Sequence, residues 1–311
     1  MSQLPEDALD YARSQRTTGF LVVRDGAVLA RANWPAPAEA QAFRAAFAYE
    51  TNADGELLED VASQQKSFIA LLCAISADRG LIDYDQPVSR YVGAGWSKAA
   101  GAEAITVDHL LTMTSGLDER FEVEAVPGAR FFYNTPVYAV LKRVLAAVAG
   151  QSLENLTHDW LAGPAGLADT AWRPRPAALA DAGNPTGLVT CPSDVARLGQ
   201  IVLDRGRAAD GTRIVSEARL AALFEPIRQN PAYGRLWWLN GGAFAVRPPD
   251  RRVEGPLIPS APADLVAALG AMDRKLYLVP SRRLIVVRLG QAAPDADFDE
   301  QLWRRLAPAL A

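Results

Sequence analysis

The sequence predicts an α+β protein in which an antiparallel sheet, formed by both termini and flanked by helices, holds an inserted helical subdomain. Three observations lead there. Strand-like runs rich in Val, Leu and Ile lie near both ends of the 311 residues. Helical runs with caps and terminal glycines fill the interval. Strands and helices do not alternate in the βαβ rhythm that a parallel sheet requires. Strands at opposite ends share one sheet only if the two termini return to each other, which leaves the middle as an insertion.

The elements follow in order. Residues Pro5 to Arg16 read as an opening helix. GFLVVRDGAVLARANW reads as two strands around Asp25-Gly26, a pair suited to a tight hairpin turn. Helices are predicted over Gln64 to Arg79 before Gly80, Val107 to Met113 after Thr106, Val137 to Ala149 before Gly150, and Asp194 to Arg205 between Ser193 and Gly206. The Pro/Ala segment 173–187 and the Pro/Arg segment 247–263 read as long surface connections. KLYLVP (275–280) and RLIVVRLG (283–290) form a second hairpin around Pro280-Ser281. An amphipathic helix from about Ala296 to Leu310 closes the chain. The expected organisation is a single domain over 1–311, with 1–80 and 186–311 as an α/β subdomain and 81–185 as the helical one.

Composition narrows the function classes. Half the residues are apolar and 22% are charged, which suits a protein that folds alone around a sizeable core. A net charge of -4 and a pI near 5.4 give no field to attract a phosphate backbone, so no nucleic-acid partner is expected. The N-terminal residues carry acids and no apolar signal-like stretch. The longest apolar run, FIALLCAISA (68–77), is too short to span a bilayer. A cytoplasmic protein without a membrane partner is therefore expected. Cys73 and Cys191 match no metal or redox spacing, and with only His109 and His158 besides, neither metal nor cofactor is expected.

The chemically informative stretch is DVASQQKSFIALLCAISADRG. Ser63 stands where a helix should begin, and Lys66 follows three residues later on the same face. Unpaired N–H groups and the positive end of the helix dipole favour an oxyanion there. The apolar run behind Lys66 would bury its amine and lower its pKa, making it a base for Ser63. The blander reading, a capping serine with a solvated first-turn lysine, stays open on spacing alone. Scarcity tilts the balance: of 32 basic residues only Lys66, Lys98, Lys142 and Lys275 are lysines, and arginine cannot act as a base. No G-x-S-x-G, P-loop, G-x-G-x-x-G or H-E-x-x-H motif offers a competing mechanism. His109 and His158 read as structural or surface residues. In PGARFFYNTPVYAVLKRVL, Tyr133 is either a proton relay or one more core aromatic beside Phe131, Phe132 and Tyr138.

In order, SQQKSF, RGLIDYDQPVSRYV, TVDHLLTMTSGL, PGARFFYN with Tyr138, GLVTCPSDVARLGQIVLDRG and GAMDRKLYLVPSRRLIVVRLG resemble the motifs of the serine β-lactamase-like family. That family includes class C β-lactamases, penicillin-binding proteins, and esterases and amide hydrolases such as the 6-aminohexanoate-dimer hydrolases. The resemblance runs from about residue 18 to 290. It implies a β-lactamase/transpeptidase-like fold and a cleft in which Ser63 is the nucleophile and Lys66 and Tyr133 share the proton. It also implies an oxyanion hole from the Ser63 N–H and one near Gly270-Ala271.

Two departures from the family pattern bear on substrate. Tyr133-Asn134-Thr135 replaces Tyr-x-Asn, so either Asn134 or Thr135 faces the cleft. Ala268-Leu269-Gly270 replaces Lys-Thr-Gly and lacks the cation that would meet a β-lactam carboxylate. A small carboxylic ester or amide is the expected substrate, with Asn134, Thr135, Trp237, Trp238, Asn240, Leu269, Gly270 and Ala271 as candidate substrate contacts. The alternatives are a silent binding module on the same scaffold, or a weak β-lactamase or D-amino-acid peptidase. The sequence leaves the oligomeric state open.

Overall fold

The computed structural model describes residues 6–180 and 183–310. Pro5, where the opening helix was expected to begin, lies outside them; the helix runs Glu6–Ser14. In chain order the strands are β1 (Thr17–Arg24), β2 (Ala27–Asn33), β3 (Ala48–Thr51), β4 (Leu57–Asp60), β5 (Ala171–Pro174), β6 (Thr186–Thr190), β7 (Trp238–Leu239), β8 (Phe244–Arg247), β9 (Arg251–Glu254), β10 (Val266–Gly270), β11 (Arg274–Val279) and β12 (Leu284–Gly290).

The predicted antiparallel sheet is present, in the order β2-β1-β12-β11-β10-β7. Both expected hairpins are in it: Arg24 pairs with Ala27 across Asp25-Gly26, and Val279 pairs with Leu284 across Pro280–Arg282. Asp25 and Gly26 both take positive φ, as a two-residue hairpin turn demands. The termini meet where β1 pairs with β12, Val22 opposite Val286. Every residue of β12 and all but the last of β1 are buried, because helices cover both faces.

Side-chain alternation along β11 shows how. Leu276 and Leu278 face the Pro192–Leu203 helix, where Gly199 approaches so closely that a Cβ there would lie 2.7 Å from the Leu278 side chain. Tyr277 points to the other face and packs edge-on against Trp303 of the Phe298–Leu310 helix, ring centroids 5.5 Å apart.

Several boundaries differ from the sequence expectation for identifiable reasons. The Gln64 to Arg79 helix is Gln65–Asp78, preceded by a 3-10 turn at Ala62–Gln64. Val107–Leu111 ends before Met113, whose φ of 58° breaks the helix. The next long helix starts at Thr135, two residues early, because Asn134 caps it and Pro136 fits its first turn. The Asp194 to Arg205 helix is Pro192–Leu203.

The four-stranded sheet β3-β4-β6-β5 and the β8-β9 hairpin were not anticipated. The segments read as surface connections therefore carry strands: β5 and β6 take up the ends of 173–187, and β9 lies inside 247–263. β5, from the middle of the chain, pairs with β6.

Candidate active site

The site begins where β4 runs into the Ala62–Gln64 turn. Ala62 adopts φ 49°, a left-handed conformation that costs a non-glycine residue about 1–3 kcal/mol and persists only when its surroundings hold it. The clamp is visible. Asp60 Oδ1 accepts the Ala62 N–H at 2.8 Å, and Arg175 grips the same carboxylate with Nε at 2.7 Å and Nη2 at 2.8 Å. Gly187 leaves room for this pair, since a Cβ there would sit 1.9 Å from Asp60 Oδ2. On the other side, a Cβ on Gly270 would lie 2.4 Å from the Val61 carbonyl oxygen. Only glycine lets β10 abut the turn that presents Ser63.

One helical turn on, Lys66 is 2% exposed. Its Nζ stands 3.0 Å from Ser63 Oγ and 3.1 Å from Thr135 Oγ1. The same nitrogen lies 4.7 Å from the ring centroids of both Tyr133 and Tyr138. Burial, reinforced by the Arg175 charge, lowers the Lys66 pKa to about 7. The pair is thus a hydroxyl and an amine in hydrogen-bond contact, with the amine poised to lose its proton near neutrality.

Tyr133 completes the group. Burial pushes its phenol up to about 12, and a hydrogen bond with Ser63 opposes that shift. Its ring stacks on Trp238 at 5.9 Å and meets Tyr233 edge-on at 6.2 Å, while Tyr233 itself packs against Trp238 and Phe131. Tyr133 is a member of this aromatic cluster and also touches the serine.

The other candidates separate clearly. Asn134 is the cap of the following helix; its Oδ1 accepts the Val137 N–H at 3.0 Å and its Nδ2 donates to Leu117 O at 2.8 Å. Its polar atoms are committed, and Thr135 is the residue beside Lys66. Trp238 lies against Tyr133, whereas Trp237 is fully buried and packs against Phe224. Asn240 braces the 258–262 loop: its Nδ2 donates to the carbonyls of Ile258, Ala261 and Pro262, and its Oδ1 accepts the Ile258 N–H. Leu269 and Gly270 are half-buried at the end of β10, next to the serine turn through Gly270. Ala271 follows them, and its carbonyl accepts from Arg274.

The two basic residues that follow 268–270 on β11 are both engaged elsewhere. Lys275 pairs in register with Leu269, but its amine is drawn to Asp299 at 2.9 Å and Asp273 at 3.2 Å. Arg274 is bonded to buried Glu59.

His109 caps its helix with Thr106, and His158 is exposed beside Asp159. Among the described residues no group of three or more His, Cys, Asp or Glu side chains is placed to hold a metal, and no helix is long and apolar enough to cross a membrane.

Sequence reasoning missed Lys142, Gln65 and Asn184. Lys142 Nζ donates to Gln65 Oε1 at 2.8 Å, Asn184 Oδ1 at 2.6 Å and Thr186 O at 2.7 Å. Lys142, Asn184 and Thr135 line a cavity of about 720 Å³ together with Phe121, Pro136 and Arg143. The scarcity of lysine that singled out Lys66 applied equally to Lys142 and was the available signal.

Comparison with known proteins agrees with this architecture. Penicillin-binding protein 4 of Amycolatopsis lactamdurans is 26% identical over 299 residues, covering 80% of this chain and 76% of that protein. A crystal structure of a class C β-lactamase in complex with cefoxitin superposes with a TM-score of 0.72 at 15% identity, covering 99% of each chain. That of a family VIII carboxylesterase gives 0.68 at 16% identity, covering 100% of this chain and 99% of the other. At these identities the structural matches show a shared fold. The sequence also matches the family described as Beta-lactamase over residues 6–311, nearly its whole length, and the chain therefore belongs to the β-lactamase family.

Proposed function

We propose that this protein is a serine hydrolase acting on a carboxylic ester or amide through an acyl-enzyme on Ser63. The observation that carries the reading is the 3.0 Å contact between Ser63 Oγ and the buried amine of Lys66, whose pKa near 7 makes it a free base in a large fraction of molecules at neutral pH. As Ser63 Oγ bonds to the substrate carbonyl carbon, its proton passes to the lone pair of Lys66 Nζ. Tyr133, neutral because burial raises its pKa, relays a proton to the departing alkoxide or amine. Water then attacks the acyl carbon as the same groups run in reverse, returning the proton to Ser63. Thr135 Oγ1 holds Lys66 from the far side. The Ser63 N–H and a backbone N–H near Gly270-Ala271 serve the oxyanion.

Substrate choice follows from charge. With Ala268 and Leu269 on β10, and with Lys275 and Arg274 bonded to carboxylates, the strand side of the cleft offers nothing to a β-lactam carboxylate. Simple esters or small amides fit better, in keeping with a fold shared by carboxylesterases.

The test is a panel of p-nitrophenyl esters, short amides and nitrocefin on wild type and Ser63→Ala, with intact-mass detection of a fluorophosphonate adduct. We expect one adduct on Ser63, ester or amide turnover that Ser63→Ala abolishes, and nitrocefin turnover far below that of esters. Absence of any adduct would instead favour a binding module.

A further inference from the structure

We propose that Lys142 is a positioning residue for this reaction: as a fixed ammonium beside Lys66, it keeps Lys66 in the free-amine form that accepts the Ser63 proton. The proposal rests on the Ser63–Lys66 reading above and goes beyond it by assigning the buried charge. Lys142 Nζ lies 5.9 Å from the centroid of the Tyr138 ring, and Lys66 Nζ lies 4.7 Å from the same centroid. The two nitrogens are therefore within about 11 Å of each other across a largely buried aromatic environment.

Hydrogen bonding decides which lysine keeps its proton. Lys142 is 7% exposed and meets Gln65 Oε1, Asn184 Oδ1 and Thr186 O within 2.8 Å. The Gln65 orientation is fixed because its Nε2 donates to Ala62 O at 2.9 Å, and the Thr186 partner is a backbone carbonyl. A neutral amine has only two N–H groups and would turn its lone pair on one of these oxygens. Burial, together with the Arg175 and Lys66 charges, pulls the Lys142 pKa down to about 6, and the three acceptors oppose that pull. The two partners of Lys66, Ser63 and Thr135, are hydroxyls. Each can donate as well as accept, so a free amine is accommodated there.

The surroundings contain little to neutralise a second cation. On its own helix Lys66 has neutral Gln65 and Ser67, and the Cys73 thiol, which burial keeps protonated. The next long helix and its entry contribute Tyr133, Tyr138 and Lys142, with Tyr233 behind Tyr133; burial keeps these phenols neutral. Asp60 on β4 is the carboxylate that acts on Lys142, and it is engaged by Arg175 on both oxygens. β7 and β10 present Trp238, Leu269 and Gly270, which are uncharged. Two lysine cations would share one compensated pocket, so the second proton is the one that leaves.

The experiment measures the rate of Ser63 modification by a fluorophosphonate between about pH 5 and pH 10 in wild type, Lys142→Met, Lys142→Gln and Ser63→Ala. Removing a unit charge about 10 Å away at an effective dielectric of about 20 should raise the acid midpoint by about one pH unit. Lys142→Met is expected to show that shift. Lys142→Gln, which also removes the charge but keeps a polar side chain in contact with the same partners, should shift it in the same direction. It keeps the test open if the methionine variant folds poorly. A Lys142 that is only structural, or already neutral, would slow or destabilise the protein and leave the midpoint where it was. Unchanged midpoints in the folded variants overturn the proposal. An adduct that persists in Ser63→Ala would instead overturn the nucleophile assignment, so the two failures are distinguishable.

Discussion

At the scale of single residues, the proposed reaction depends on a lysine that can lose its proton. Below pH of about 7 Lys66 is protonated and cannot accept from Ser63, so kcat/KM should fall about tenfold per pH unit on the acid side and level off above it. Lys66→Arg keeps a positive charge but removes the base. We expect it to lower kcat/KM by about 10²–10⁴-fold and to erase that acid limb, as measured in a pH–rate series on the preferred ester. Ser63, Lys66 and Tyr133 were singled out by their spacing and by the order of surrounding motifs, which are properties of the chain, and the fold brings the three side chains together. The choice between Asn134 and Thr135 was not legible. It depends on which side chain caps the Thr135–Ala149 helix, and capping is settled by the Val137 N–H and the Leu117 carbonyl. Trp237 and Trp238 are adjacent, yet only the second reaches Tyr133, while Trp237, just before β7, packs against Phe224.

At the scale of elements, the serine turn is held by partners from elsewhere in the chain. β4 lacks a long alternating pattern, at four residues, and its neighbours β3, β5 and β6 are four or five residues long. Such strands carry too little periodicity to be seen in a sequence, so the second sheet was missed even though it positions Asp60. The buried Asp60–Arg175 pair makes a testable element. Asp60→Ala leaves the Arg175 guanidinium without its carboxylate and frees the Ala62 N–H, and it should destabilise the protein by about 3–5 kcal/mol. Denaturant unfolding measures that loss. Ester turnover per folded molecule should also fall, because the strained Ala62 would relax and move Ser63.

At the scale of the whole molecule, both ends of the chain build one sheet and one helical layer over it. Tyr11 of the first helix stacks on Phe298 of the last at 5.9 Å. Arg288 on β12 donates to Thr17 Oγ1 and to the carbonyls of Gln15, Met272, Asp273 and Gln291, joining first and last segments around a buried guanidinium. Trp303, fully buried against Tyr277, tests this closure. Trp303→Ala should cost about 3–5 kcal/mol in urea unfolding while leaving ester turnover of the folded protein near wild type, because its partner Tyr277 faces away from the Leu276 and Leu278 side of β11.

The sequence by itself determined the sheet drawn from both termini, two of its hairpins, the long helices and the serine–lysine spacing. Each of these is written in local periodicity, turn residues or motif order. Tertiary structure alone decided that Thr135 and not Asn134 meets Lys66, that Asp60 and Arg175 clamp the serine turn, and that Lys142 shares the Tyr138 ring with Lys66. Those facts concern residues as far apart as Asp60 and Arg175, or Gln65 and Lys142. Hydrogen bonds and buried charges act through space, and no pattern along the chain records which distant partners folding brings together.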